Sequence, residues 1–185
     1  NTFVGFNAGA LNTTGLQNIN IGNNAGYSNT TGTCNVFIGN GAGYSNTVSG
    51  NTFIGFSAGR ANTTGNTNTF IGYLAGRKTT TGAQNTFVGD KAGYSNTIGT
   101  SNIAIGNSAG FSLTSGRFNT FLGDSAGTSC TTSNGNIFIG YNAGAKEIGA
   151  NKLYIENSNT ATPLIYGEFD NDRVKINGAF TISGT

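Results

Sequence analysis

The sequence has no histidine, no methionine and no tryptophan, and only one proline and two cysteines in 185 residues. Each shortage excludes something. Without histidine there is no Ser-His-Asp or Cys-His arrangement to activate a nucleophile, and histidine-based metal sites are ruled out. Cys34 and Cys130 are too few for a disulfide framework. They fall in different repeats, roughly 25 Å apart in a stacked rod, so free, buried or half-buried thiols are expected rather than a bond. Charge is scarce as well. Only 9% of residues are charged, the net charge is +2, and no charge occurs between Asn1 and Gly59. A basic stripe that could neutralise phosphates is missing, which excludes nucleic acid as a partner. No apolar run is long enough to span a bilayer and no signal peptide is present, so no membrane insertion is expected of this segment. With no methionine, residue 1 reads as something other than a translational start, and the chain as a fragment or processed product.

What is abundant is glycine, with 31 residues, together with asparagine and threonine. With so little charge, Asn, Thr and Ser must supply the wetted surface. Much of this composition comes from one phrase, Asn-Thr-Phe-Ile-Gly-x-x-Ala-Gly at Asn51 to Gly59. Copies start at Asn1, Asn18, Asn35, Asn51, Asn68, Asn85, Asn102, Asn119 and Asn136, 17 residues apart except for 16 after Asn35, with a truncated tenth start at Asn151. Nine copies at a short, near-fixed period are the mark of a stacked array.

Within a copy, position 1 is Asn, position 2 is β-branched, position 4 is aliphatic, position 5 is Gly and positions 8 and 9 are Ala-Gly. Position 3 is Phe in seven of nine copies, the exceptions being Asn20 and Ala104. A softer Asn-Thr-Thr-Gly comes next, as at Asn12 to Gly15. Positions 2 to 4 favour strand, Gly at position 5 permits a tight turn, and no stretch has helical periodicity. Thr13-Thr14 suits a second short strand. The prediction is all-β: a parallel β-roll or solenoid of about nine 17-residue coils, each pairing its strand with the copy one period on. The leading asparagines would form an amide ladder.

The strand is apolar on both faces. Positions 2 and 4 point one way and position 3 the other. A thin coil has one interior, so one apolar face is expected to lie outside. Placing position 3 there leaves an exposed column of Phe3, Asn20, Phe37, Phe53, Phe70, Phe87, Ala104, Phe121 and Phe138. An exposed apolar stripe marks an interface, and hiding each Phe contributes about 1.5–3 kcal/mol. The expectation is a closed homotrimer with this column at its interface.

Asn-Thr-Phe-Ile-Gly resembles the Asn-Ser-Val-Ala-Ile-Gly repeat of trimeric autotransporter adhesin heads. Asn85 to Gly99 is closer still to repeat regions of bacterial and phage tail-fibre-like proteins that carry a C-terminal intramolecular chaperone. The resemblance covers roughly residues 1–150 and departs at Asn20 and Ala104. It implies trimers of left-handed parallel β-rolls with positions 2 and 4 inside and position 3 toward the three-fold axis. It also implies a place outside the cell, on a cell surface or on a virion or tail fibre.

Composition shifts near Gly149: seven of the 16 charges lie in the last 35 residues, on alternating strand-like text. Residues 1–150 are expected to form the repetitive roll and 151–185 a β-rich cap or connector. In the tail-fibre-like proteins a similar stretch joins the repeats to the next segment, usually the chaperone.

Candidate sites are few. Among the acids of the repeats, Asp90, Asp124 and Glu147 are too far apart to pair. The Gly-x-x-Ala-Gly turns lead into no helix, which argues against a phosphate cradle. Glu168, Asp170 and Asp172 alternate and could face one side as a calcium site, against a solvated hairpin end. No cofactor and no catalysis are expected. Position 10 carries Tyr27, Tyr44, Tyr94 and Phe111 with Arg60 and Arg77 between them. Aromatics beside Arg suit glycan binding, while rings covering the neighbouring coil are the plainer account. Asn20 could hold water or an anion on the trimer axis, or fix register. The function expected is a rigid fibre or adhesin segment, with weak glycan contacts multiplied by repetition. The alternative is a monomeric, three-sided solenoid that binds ice through the rows at Thr13-Thr14, Thr30-Thr31, Thr63-Thr64 and Thr80-Thr81, broken at Val48, Ile98 and Leu113.

Overall fold

A computed structural model of the chain describes residues 1–181; the last four residues of the expected cap lie outside the described residues. Nine three-residue strands succeed one another: β1 Thr2–Val4, β2 Ile19–Ile21, β3 Val36–Ile38, β4 Thr52–Ile54, β5 Thr69–Ile71, β6 Thr86–Val88, β7 Ile103–Ile105, β8 Thr120–Leu122 and β9 Ile137–Ile139. Each pairs in parallel with the next, position for position, as in Phe53 opposite Phe70. The chain is therefore a β-solenoid of about nine coils, roughly 43 Å long at about 4.8 Å per coil. Strands β10 Lys152–Ile155, β11 Ile165–Glu168 and β12 Arg173–Ile176 complete one 12-stranded sheet in sequence order. β10 joins β9 in parallel, whereas β11 and β12 add as antiparallel strands.

Only one side of each coil is strand. The Thr13-Thr14 segments, expected as a second strand, are bends. They still bond from coil to coil, because Thr13 and Thr14 N–H both donate to Thr30 O, at 2.8 and 3.2 Å. Two N–H groups sharing one carbonyl cannot build a strand ladder. Elsewhere Gly9 N–H donates up to Ala25 O and Asn24 N–H donates down to Phe6 O, so inter-coil bonding extends well beyond the strands.

The direction of the phenylalanine column corrects the sequence reading. Phe37, Phe53, Phe70, Phe87, Phe121 and Phe138 are fully buried inside the coils of the single chain, as are Asn20 and Ala104. Phe3 is 38% exposed, at the end of the stack with no coil beneath it. The six buried rings, Asn20 and Ala104 are not at the surface and so are not available to form an interface with another chain, and positions 2 and 4 are the outward rows. The physical reason is the Ala-Gly pair. Ala25 through Ala143 at position 8 are buried in the same cluster as the rings. A Cβ on Gly59 would lie 2.6 Å from the Phe53 ring, so the ring occupies space that only glycine leaves. Successive rings then stack, Phe53 on Phe70 at 4.8 Å and Phe70 on Phe87 at 4.9 Å. The glycine at position 5 serves the next coil in the same way. Its φ is 127° at Gly5, and a Cβ there would sit 2.7 Å from the Gly22 carbonyl oxygen.

The leading asparagines are buried beside the rings. The Oδ1 of each accepts the backbone N–H of the next Asn, as in Asn51 N–H to Asn35 Oδ1 at 2.9 Å. Each Nδ2 donates to a carbonyl of its own coil, as in Asn68 to Gly82 O at 2.8 Å. The expected amide-to-amide contact is present between some levels, such as Asn102 Nδ2 to Asn85 Oδ1 at 3.1 Å. The bonds that recur from coil to coil run to backbone. A second inward column at position 12 includes Asn29, Asn46, Asn62, Thr79, Asn96, Leu113 and Cys130, all fully buried. Leu113 thus belongs here and not to the threonine rows. It shares its coil with Ala104: where the large ring is missing, an apolar side chain replaces the usual Asn, and both join the core cluster.

The tenth coil starts one residue later than expected. Lys152 N–H donates to Asn136 Oδ1, and Tyr154 pairs with Phe138 in the position-3 register. Asn151 takes a left-handed φ of 59°, the conformation that Gln17 and Gln84 adopt just before their strands.

Phe70→Ala is expected to cost about 3–5 kcal/mol of stability, as for a core ring. Chemical denaturation at several protein concentrations checks this, since an interface ring would give a concentration-dependent loss. Asn20 has both polar side-chain atoms buried without a partner. Asn20→Phe should therefore stabilise the chain by about 1–3 kcal/mol by removing an unpaired amide and completing the ring stack; a lowered denaturation midpoint would contradict this.

Candidate interaction surfaces

The side chains of positions 2 and 4 form the outer sheet face. It carries no charge over nine coils. Ile19, Ile21, Ile71, Ile103, Ile105 and Leu122 are exposed, and Ile38, Ile54 and Ile139 are half-buried. The face continues through the cap, where Leu153 and Ile155 succeed β9 and Val174, 69% exposed, and Ile176 reach the last strand. About 10 Å wide and 43 Å long over the coils alone, it covers roughly 400 Å². With Thr at position 2 in five of the nine coils, it is an uncharged, largely apolar strip, and exposed apolar strips mark interaction sites. The sequence reading places these residues inside; the structure puts them outside.

Position 10 forms a ridge along the turns. Tyr27 stacks on Tyr44 at 5.0 Å and 4°, and Tyr94 on Phe111 at 5.1 Å and 3°. Between these pairs the Arg60 guanidinium lies 5.0 Å above the Tyr44 ring, and Arg77 Nη1 donates to Tyr94 Oη at 3.1 Å. The structure brings all six together in one half-buried file, apart from Arg60, which is exposed. Lys78, missed from sequence, places its ammonium 5.0 Å above Tyr94. The signal was present: Lys78 directly follows Arg77.

The acidic trio does not converge. Glu168 ends β11, while Asp170 and Asp172 occupy the turn before β12, with Asp172 at a φ of 50°. A turn does not alternate as a strand does, so the shared face is lost. Among the described residues no three His, Cys, Asp or Glu gather to hold a metal. Glu168 is engaged elsewhere. Tyr166 donates to Oε1 at 2.6 Å and Asn171 to Oε2 at 2.8 Å, with Lys152 and Arg173 each 3.6 Å away. Those two hydrogen bonds, then the two cations, hold its carboxyl down at about 2.

At the join, Glu147 ends the position-12 column. Burial pushes its carboxyl up, but the Tyr154 hydroxyl at 2.6 Å and the N–H groups of Gly149 and Ile148 more than offset this, leaving it below the usual range. Tyr154 is pushed up by burial and by the same carboxylate. Burial likewise raises the Cys130 thiol to about 11, which makes it a poor nucleophile. Cys34 is exposed rather than buried, and both thiols are free.

The threonine rows are largely committed to the backbone. Thr13, Thr63 and Thr80 hydroxyls donate to Thr30, Thr80 and Thr97 carbonyls at 3.0 to 3.1 Å. Position 14 remains as a free row, interrupted at Val48 in the short third coil and at Ile98. Comparison with protein families, with curated proteins and with solved structures finds no match for the chain.

Glu168 generates a pH outcome. Its folded value lies below the ordinary 4.5, so its contribution to the hairpin is complete above pH 4.5 and is lost as pH falls towards about 2. Amide exchange of β11 and β12 should accelerate over that window while the coils stay protected, and Glu168→Gln should flatten the dependence.

Proposed function

We propose that this chain is a structural segment of a fibre or adhesin, a stiff rod that assembles as a parallel homotrimer outside the cell or on a virion. The supporting observation is the uncharged, β-branched outer face, which runs along all nine coils and on through the cap. The fold itself does not need that face. Each chain fills its own interior with rings, alanines and amides, so the face serves a neighbour and not the coil. Phenylalanine no longer supplies the interface; Ile, Val, Leu and Thr at positions 2 and 4 do. Three chains around an axis along the rod keep every cap at one end, as a fibre segment requires. A two-fold axis across the rod would put caps at opposite ends. Ice binding through the threonine rows finds less support, because most hydroxyls of the position-13 row are tied to carbonyls.

The mass of the chain in solution tests this reading. Three copies are expected, and Ile54→Lys with Ile71→Lys should release folded monomers, because both side chains already meet solvent in the single chain. A monomer at all accessible concentrations would overturn the assembly, and a dimer would overturn the three-fold arrangement.

A further inference from the structure

The middle of the position-10 ridge differs from its ends. Coils four and five place Arg60 and Arg77 at consecutive levels of one column, and Lys78 beside Arg77. Together with Ser45 and Ala61 these three cations line a recess of about 220 Å³. That is a large share of the charge of a chain with nine cationic side chains. None of the three has an acidic partner: among the described residues the ion pairs are Lys91 with Asp90, and Lys152 and Arg173 with Glu168. The Nε of Arg77 is buried and makes no hydrogen bond, although its Nη1 is fixed on Tyr94.

Stacking holds these groups in place without neutralising them. Arg60 lies over Tyr44 and Lys78 over Tyr94, so each cation is tethered to a ring that is itself stacked on a further ring. Two guanidinium groups one coil apart repel each other. A fixed, unpaired cluster of this kind is relieved by an anion, and the planar donors of Arg match a carboxylate or sulfate in two-bond fashion. The recess is about the size of one sugar ring. Beside the three cations its walls offer the Ser45 hydroxyl and the small Ala61 side chain, which suit a hydroxylated ligand.

We infer that Arg60, Arg77 and Lys78 form a binding site for an anionic sugar unit, one bearing a carboxylate or a sulfate, within an acidic polysaccharide. Assembly through the outer sheet face would repeat the site on each chain and multiply a weak contact, but the site itself lies within one chain.

Calorimetric titration of the purified chain with a polyuronate oligosaccharide, a sulfated oligosaccharide and a neutral oligosaccharide of equal length tests the inference. Binding of at least one acidic oligomer, and not of the neutral one, is expected. Arg60→Gln and Arg77→Gln should each weaken binding about tenfold or more, while Lys175→Gln, remote in the cap, leaves it unchanged. The denaturation midpoint of each variant checks that the coil remains folded. No binding of either acidic oligomer at millimolar concentration would overturn the inference. So would equal losses in Lys175→Gln, which mean diffuse attraction, or equal binding of a single-stranded oligonucleotide, which means that the sugar is not recognised. Solution mass is a separate readout, so failure here leaves the trimer to its own test.

Discussion

The structure depends on one bond repeated up the stack: the backbone N–H of each leading asparagine donated to the side-chain oxygen of the asparagine below. That bond ties adjacent coils at one fixed register, and the same side chain closes its own coil through Nδ2, as Asn68 does on Gly82 and Asn85 on Gly99. One amide thus sets both the size of a loop and its alignment with the next. Because the amide is buried, an alternative register would leave its donors and acceptors unpaired, which costs about 1–3 kcal/mol per group. A parallel sheet of three-residue strands is weakly specified by its own ladder; here the side chains specify it.

The interior built on that register has little free space. Position 3 carries rings that press on glycine at position 9, and position 5 meets the carbonyl of the coil above. Variation is accepted where it is compensated, as with Ala104 and Leu113 in one coil, or where the core bears a cost, as with the unpaired amide of Asn20. The two coils of 16 residues obey the same logic. In both the position-1 amide still finds its carbonyl, Asn35 on Val48 and Asn136 on Gly149, with one residue fewer in between. The residue dropped comes from the bend that carries no strand.

The period, the parallel pairing and the all-β class were legible in the spacing of Asn, Gly and Ala-Gly. The facing of the strand was not. Three residues with apolar groups on both sides offer no alternation that distinguishes inside from outside, and the resemblance to trimeric adhesin heads favoured the opposite choice. The deciding clue lay elsewhere in the repeat: Ala at position 8 and Gly at position 9 are small because a ring, not only backbone, lies against them. The tyrosine and arginine file could be read from sequence as a column, since residues one period apart must stack. Lys78 follows Arg77 in the sequence, but that its ammonium reaches back over Tyr94 is visible only in three dimensions, as is the fall of Asp170 and Asp172 into a turn, because side-chain reach and hairpin register are not periodic. Lys152 escaped for a related reason. The repeat ends one residue off its spacing there, and the leading amide is replaced by a residue that keeps only the backbone half of the bond.

The last strand bears on how filaments could grow. Along the line where lower levels place Phe138, Tyr154 and Tyr166, β12 offers Lys175. Another molecule arriving coil-first at that edge would have to lay its terminal ring over an ammonium group and strip it of water. On the β12 side the interior line of rings therefore gives way to a charged side chain, a feature that makes a sheet edge less able to template further pairing.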